Sequence, residues 1–421
     1  MIYKFIHIAD IHADGDPVKK EKLAHSLEQL IEYCSEVKIN AIIIAGDVWE
    51  KKQSFDDKNS GVPMMLNYLK RLAELVDFVF IVKGNNSHDE PGSIALLHQL
   101  CPNIYAYEHP ALLATSSHEV GTGRLWAPVS NLLESAVMNG EIDFIIQLIP
   151  YPTKANFILD DSIDNNNAAF LEKFESVFEL MGQISDEYDC PKLMAAHLNV
   201  QGSRLSSGQT LVSQDILVAP STIEKAKADY YALGHIHLRQ FFKPNMGYSG
   251  SLYNKSWGET EQKSFEVITF DTDVVNPEVP KGAINPQMTI ETVPLTAARA
   301  MITVDFEIDD IGLNRLTDLS AHSNEVIENA EFRLRIKVSE NNRNLLTDEK
   351  LDILSKDFNN TDKIEIVVVP NERESRSEEI MSCTTLLDEV REYAAVIEES
   401  ITPSIETKVT NLQEQESEAT L

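Results

Sequence analysis

Five short clusters in this 421-residue chain combine carboxylate, imidazole and carboxamide side chains, each behind an apolar, strand-like run. Asp10-Ile11-His12 follows KFIHIA, Gly46-Asp47 follows AIIIA, and Gly84-Asn85-Asn86-Ser87-His88-Asp89 follows FVFIVK. His197 follows KLMAA, and Gly234-His235-Ile236-His237 follows DYYAL. Such oxygen and nitrogen donors suit borderline-hard divalent cations, whereas soft metals prefer sulfur. Two such cations roughly 3.5–4 Å apart can activate water and clamp the oxygens of a phosphodiester. That architecture needs a bridging carboxylate, for which Asp47 on its Gly46 turn is the natural candidate. Alternation puts Asp10 and His12 on one side of the chain, and His235 and His237 likewise. Taken singly, a Gly-Asp pair is usually a turn and a lone histidine usually a core or loop residue. The information lies in five clusters in register.

The elements that must position these residues can be read around them. Asp16-Pro17 gives a helix start, followed by Leu23, Leu27, Leu30, Ile31 and Cys34 at helical spacing. Ile42-Ile43-Ile44 is a continuous apolar run, as in a parallel strand covered on both faces. Met65, Leu66, Leu69 and Leu72 predict the next helix, and Phe78 to Val82 the next strand. This is βαβ logic, which places the ligand-bearing loops at the carboxyl ends of strands. Residues 120–275 are richer in strands, with a helix expected near 168–186. Pro277, Pro280 and Pro286 mark a linker over 276–299. Residues 300–370 read β-α-β-α-β, with Phe332, Leu334, Ile336 and Val338 alternating. From Ser377 the tail is acidic and helical, with an apolar stripe of Leu386, Val390, Tyr393 and Ile397. The expected division is 1–275, linker 276–299, a small domain 300–370 and a tail 371–421.

Composition excludes some classes. No window approaches a membrane span of roughly 18 apolar residues, and the strand beginning at Ile2 leaves no room for a signal peptide. Cys34, Cys101, Cys190 and Cys383 form no CxxC pair, so a reducing cytoplasm is expected. The formal net charge of −31 opposes nucleic-acid binding, because phosphate neutralisation supplies most of that affinity. Bound divalent ions reverse the local sign of a site. Part of the acid also sits far along the chain, since residues 371–421 hold 13 Asp/Glu against 4 Lys/Arg.

The ordered clusters resemble the calcineurin-like metallophosphoesterases, and more closely the SbcD-type DNA repair and recombination nuclease subunits. Leu148-Ile149-Pro150-Tyr151-Pro152 is similar to that family's Pro-Tyr-Pro strand end. Val200-Gln201-Gly202-Ser203 after His197, Tyr248-Ser249-Gly250-Ser251, and Trp257-Gly258-Glu259 add to the resemblance. It implies an α/β fold, a sandwich of two sheets flanked by helices, with a small α/β capping domain and a helical C-terminal tail. It further implies two divalent ions, manganese being expected, with magnesium, iron or zinc as alternatives. Asp10, His12 and His237 would hold one, Asn85, His197 and His235 the other, with Asp47 bridging. The implied activity is 3′–5′ double-strand exonuclease and single-strand or hairpin endonuclease, the alternatives being a metallophosphoesterase acting on a nucleotide or other small phosphodiester and a non-catalytic DNA-complex scaffold. The implied partners are DNA, an SbcC-type coiled-coil ATPase bound through the tail, and a second copy of the chain.

The family run Gly-Asn-His-Asp is stretched here. Either Asn85 or Asn86 can be the amide ligand, Asn85 being favoured because it directly follows Gly84. His88 becomes the candidate transition-state stabiliser or leaving-group acid, oriented by Asp89; the plainer reading is a loop histidine. DNA contacts are expected from Ser203 and Arg204 in the loop 202–208 and from Lys255.

Overall fold

The computed structural model describes residues 1–52, 59–116, 125–128, 142–153, 167–210, 216–273, 288–296, 298–308, 312–358, 361–369, 383–396 and 399–419. Two sheets dominate. The first has six strands in the order Met288–Pro294, Ser264–Asp271, Ile2–Ile8, Ala41–Ile44, Phe78–Val82 and Ile104–Tyr107. Its last four strands are parallel, and Ser264–Asp271 runs antiparallel to Ile2–Ile8. The second has seven strands, ordered Gln240–Lys243, Met246–Tyr248, Tyr230–Gly234, Lys192–His197, Ile145–Ile149, Ala111–Ser116 and Leu125–Pro128.

Strand composition follows the layers. Ala41–Ile44 and Phe78–Val82 are buried at every residue, as parallel strands covered on both faces must be. Successive side chains point to opposite faces, so each strand feeds two cores. Ile6, Ile8, Ile42 and Ile44 pack with Leu23, Leu27 and Leu30 of the helix Pro17–Glu36 and with Met65 and Leu69 of Val62–Leu75. Phe5, Ile43 and Phe80 face the other way, packing with Phe144, Ile146, Leu193 and Tyr230 of the second sheet. The outer face of the second sheet is covered by Phe170, Phe174 and Phe178 of the helix Asn167–Ser185. The result is helix, sheet, sheet, helix, the sandwich expected from the sequence.

The helix Pro17–Glu36 starts where Asp16 accepts from the amides of Val18 and Lys19, both at 3.0 Å. His7 joins the two sheets: Nδ1 lies 2.9 Å from the Tyr230 hydroxyl and Nε2 3.1 Å from the Leu233 carbonyl. Burial lowers its pKa to about 3, so this tie is a neutral imidazole.

The linker expected over 276–299 is corrected in part. Met288–Pro294 is a strand at the edge of the first sheet, paired antiparallel with Ser264–Asp271 from Phe270 opposite Met288 to Ser264 opposite Pro294. Its β-branched residues Thr289, Ile290, Thr292 and Val293 suit a pleated edge. The prolines 277, 280 and 286 lie outside the described residues.

Residues 300–370 also divide differently from expectation. One compact unit comprises Met1–Val304, Thr317–Leu334 and Ser355–Ile364; the other comprises Asp305–Leu316, Arg335–Leu354 and Glu365–Leu421. Within the first unit, Met301 exchanges backbone hydrogen bonds with the 258–259 turn (Gly258 N to Met301 O, 2.7 Å; Met301 N to Glu259 O, 2.8 Å). Lys22 and Glu331 form an ion pair in the same unit. These contacts tie the start of the 300–370 span to the larger core. The span contains a four-stranded sheet ordered Leu313–Arg315, Met301–Ile308, Glu331–Ser339 and Thr361–Val369, and Phe332, Leu334, Ile336 and Val338 are buried on alternation. In the tail, helices Leu386–Val396 and Pro403–Ala419 are joined by Arg391 and Glu406 at 2.8 Å. Ile397 of the expected stripe lies outside the described residues.

Phe144 lies between the sheets, with ring centroids 4.9 Å from Phe5 and 5.5 Å from Tyr3. Phe144→Ala is expected to lower stability by about 3–5 kcal/mol, the cost of a buried aromatic cavity. Urea unfolding followed by tryptophan fluorescence measures it, and a loss under about 1 kcal/mol would contradict this packing.

Candidate metal centre

The five clusters converge where the carboxyl ends of both sheets meet. Asp10 and His12 follow Ile2–Ile8, Asp47 follows Ala41–Ile44, and Asn85 follows Phe78–Val82. From the second sheet, His197 ends Lys192–His197, while His235 and His237 follow Tyr230–Gly234. Asp10, His12, Asp47, Asn85, His197 and His235 are buried, and His237 is half-buried.

Backbone conformation marks the same residues. Among the described residues, five non-glycine residues have positive φ, and four are Asp10 (51°), His12 (50°), Asp47 (51°) and His235 (107°). A left-handed non-glycine residue is uncommon and costs of order 1–3 kcal/mol, so such strain concentrates at functional sites. Neighbouring glycines make room for it. A Cβ on Gly84 would collide with the Asp47 carboxylate, and one on Gly234 with the Ala45 carbonyl.

The side chains form two groups about Asp47. His12 Nε2 lies 3.0 Å from His237 Nε2 and 3.9 Å from both Asp10 Oδ1 and Asp47 Oδ2. Asn85 Oδ1 lies 3.1 Å from His197 Nε2 and 3.2 Å from His235 Nδ1, and His197 Nε2 is 3.4 Å from Asp47 Oδ2. Ligand atoms of Asp10, His12 and His237 fall within 4.8 Å of one another, as do those of Asp10, Asp47 and His197. Asn86 instead turns its amide oxygen to Lys83. Of the two asparagines, Asn85 is the one brought to the centre.

Electrostatics agree with a cation-binding role. Burial, reinforced by the Asp47 charge, raises Asp10 to about 6. Burial acts against the charge on His197, yet Asp47 outweighs it and lifts that imidazole to about 9. Burial lowers His12 to about 3, with Lys255 adding repulsion, and holds His237 well below its ordinary value. The pocket thus gathers two carboxylates, four imidazoles and an amide oxygen. Neutral His12 and His237 beside carboxylates fit divalent ions of the borderline-hard class.

Surrounding groups hold this set. The Asp47 Oδ1 accepts from Asn85 N at 2.7 Å, and both Asp10 oxygens lie 3.1 Å from His235 N. His197 Nδ1 meets the Ala45 carbonyl at 2.7 Å, which leaves Nε2 facing the centre. Gln209 spans the last loop, donating to His235 O (2.7 Å) and accepting from His237 N (3.1 Å). The Tyr-Ser-Gly-Ser segment is a clamp: Tyr248 OH donates to Leu198 O at 2.7 Å, and Ser251 N donates to His237 O at 3.1 Å.

Two expectations need correction. His88 lies beside the centre, with Nε2 3.9 Å from Asp47 Oδ2, but its Nδ1 meets the Glu50 carbonyl and not Asp89. Asp89 is buried and accepts from Gly84 N (2.7 Å) and Trp49 N (3.1 Å), so it fastens two loops together. Lys255 is half-buried, its side chain 9% accessible, with Nζ 2.7 Å from Glu50 Oε2; a cation neutralised this far inside the fold is not an exposed DNA contact. Ser203 Oγ is 3.4 Å from Asn199 Oδ1, and the exposed Arg204 pairs through its backbone with Gln240. Sequence reasoning missed Glu50, Gln209 and Tyr253, whose hydroxyl donates to His12 O at 3.2 Å. Glu50 alone carried a signal, as a carboxylate three residues beyond Asp47.

The family model for calcineurin-like phosphoesterases matches residues 3–239, more than half of the chain. No curated protein matches it. Among the described residues no helix is long and apolar enough to cross a membrane.

The geometry separates the two asparagines experimentally. Asn85→Ala is expected to weaken one manganese site at least tenfold, while Asn86→Ala leaves both unchanged, as read by calorimetric titration. The reverse pattern would move the ligand to Asn86.

Proposed function

The chain belongs to the calcineurin-like phosphoesterase family, and from that premise we propose that it is a two-metal DNA nuclease of the SbcD type, acting with a coiled-coil ATPase. The observation that carries the phosphodiesterase chemistry is the convergence of six donor residues about Asp47. Asp10, His12 and His237 would hold one ion, Asn85, His197 and His235 the other, and Asp47 would bridge them. The ions, when bound, supply an activated water and neutralise charge on the phosphorus-bound oxygens. Manganese is the metal we favour.

The protein's own groups do the rest. Tyr248, Ser251 and Gln209 keep the His197 and His235–His237 loops in place. His88 is partly exposed, with 28% of its side chain accessible, so a phosphodiester lying over Asp47 can reach its Nε2. With Nδ1 held by the Glu50 carbonyl, the doubly protonated ring can there donate a hydrogen bond to a phosphoryl oxygen or a proton to the leaving oxygen.

Support for DNA as substrate comes from the part of the chain beyond the phosphoesterase region. A four-stranded sheet and a pair of helices are added after residue 300, and a small phosphoester needs no such additions. The charge of −31 means that affinity for DNA must come from the ions and the partner. The tail helices, with Leu386 and Tyr393 partly exposed, offer an amphipathic surface for the ATPase. We also propose a homodimer, and a cytoplasmic setting on the strength of four cysteines that form no disulfide with one another.

The test compares linear double-stranded DNA with a p-nitrophenyl phosphodiester, in manganese and then in EDTA. DNA cleavage lost in EDTA is expected, and cleavage of the small ester alone would sink the nuclease reading. His88→Ala should lower kcat by roughly 100-fold or more while both manganese sites remain. A missing metal site in that variant would overturn the assigned role.

A further inference from the structure

One carboxylate beside the centre has no place in the ligand set. Glu50 lies in the loop after Ala41–Ile44, its amide donating to the Ala13 carbonyl at 3.0 Å. Its Oε2 lies 3.1 Å from His12 Nδ1 and 2.7 Å from Lys255 Nζ, and its Oε1 lies 2.9 Å from Lys19 Nζ. Its backbone carbonyl meets His88 Nδ1. One residue therefore touches the outer nitrogen of both histidines on this side of the centre.

We propose that Glu50 is a positioning residue that sets the ring orientation and tautomer of His12 and His88, with Lys255 and Lys19 fixing its carboxylate. This rests on the dinuclear reading above. A carbonyl hydrogen-bonded to His88 Nδ1 and an ionised carboxylate 3.1 Å from His12 Nδ1 can only accept, so each draws the proton of its imidazole to Nδ1. His12 Nε2 is left as a lone pair among Asp10, Asp47 and His237, and His88 Nε2 is the nitrogen turned to Asp47. An outer carboxylate of this kind orients a ligating histidine and raises its basicity.

The lysines explain why Glu50 is a strut and not an eighth ligand. Both of its oxygens are already engaged by cations, and Lys19 is held in turn by Asp14 at 3.0 Å. Swinging the carboxylate toward a metal would strand the Lys255 charge, whose side chain is 9% accessible, and an uncompensated cation so nearly enclosed is destabilising. Even so, ligand atoms of His12, Glu50 and His88 lie within 4.8 Å of one another. A separate ion held by these three is thus the competing outcome.

The experiment uses the full chain and manganese alone, with calorimetric titration and electron paramagnetic resonance as readouts. The wild type is expected to take two ions with an exchange-coupled signal. Glu50→Ala should weaken one site about 10–100-fold, replacing the coupled signal by that of isolated ions at two equivalents. Glu50→Gln keeps an acceptor for Nδ1–H and should recover most of the coupling. Because Glu50→Ala strands Lys255, the double variant Glu50→Leu with Lys255→Met serves as the folded control, its melting in EDTA checking integrity. It should show the same loss. Two tight, coupled ions in the double variant would overturn the proposal, as would a wild-type stoichiometry of three falling to two. A wild type that binds no manganese would instead sink the dinuclear reading itself.

Discussion

Everything at the carboxyl edge of the two sheets answers to one constraint: Asp10 and Asp47 are buried together with four imidazoles. Taking like charges out of water is unfavourable unless a positive charge joins them. Burial and the Asp47 charge accordingly push Asp10 up to about 6, while Asp47 draws positive charge onto His197. Four of the gathered residues also adopt left-handed backbone, each at a cost of order 1–3 kcal/mol. A loop alone would relax away from such an arrangement. Two sheets with a shared aromatic layer, and a neutral His7 tying strand to strand below the site, hold it in place.

The sequence made the candidate ligands legible because each lies behind a strand, and strand ends converge at one edge of such a sheet. Periodicity also found the helices at Pro17–Glu36 and Val62–Leu75, whose apolar stripes are intact. It could not find the strand Met288–Pro294. Only Met288 is buried there, with Ile290 and Val293 half-buried against different cores, so the alternation is weak and the nearby prolines dominate the pattern. Lys255 illustrates a different blindness. A lysine near a Ser-rich loop reads as surface, and only the fold reveals that Glu50, 205 positions earlier, has drawn it inside.

The stretched third cluster shows how one loop divides its labour. Asn85 Oδ1 turns to His197 and His235, Asn86 turns to Lys83, and His88 reaches the opposite side beside Asp47. The amides of His88 and Asp89 both return to the Asn85 carbonyl, at 3.0 and 2.7 Å, so the inserted residues close a tight turn. Asp89 then fastens that turn to Gly84 and Trp49. The insertion lengthens the loop without displacing the amide at its start.

The acidity of the chain and the proposed substrate can be reconciled from the same contacts. Three lysines around the centre are committed to carboxylates, Lys19 to Asp14 and Glu50, Lys255 to Glu50, and Lys263 to Glu259 and Glu261, while Lys83 is buried and turned to Asn86. Their charge is spent inside the protein and offers little to a phosphate backbone. On the proposed reading, divalent ions are therefore the principal positive charge that the site presents to DNA, and the rest must come from another chain. Such a nuclease would bind DNA only when metal-loaded and in company, which would restrain it from cutting at random.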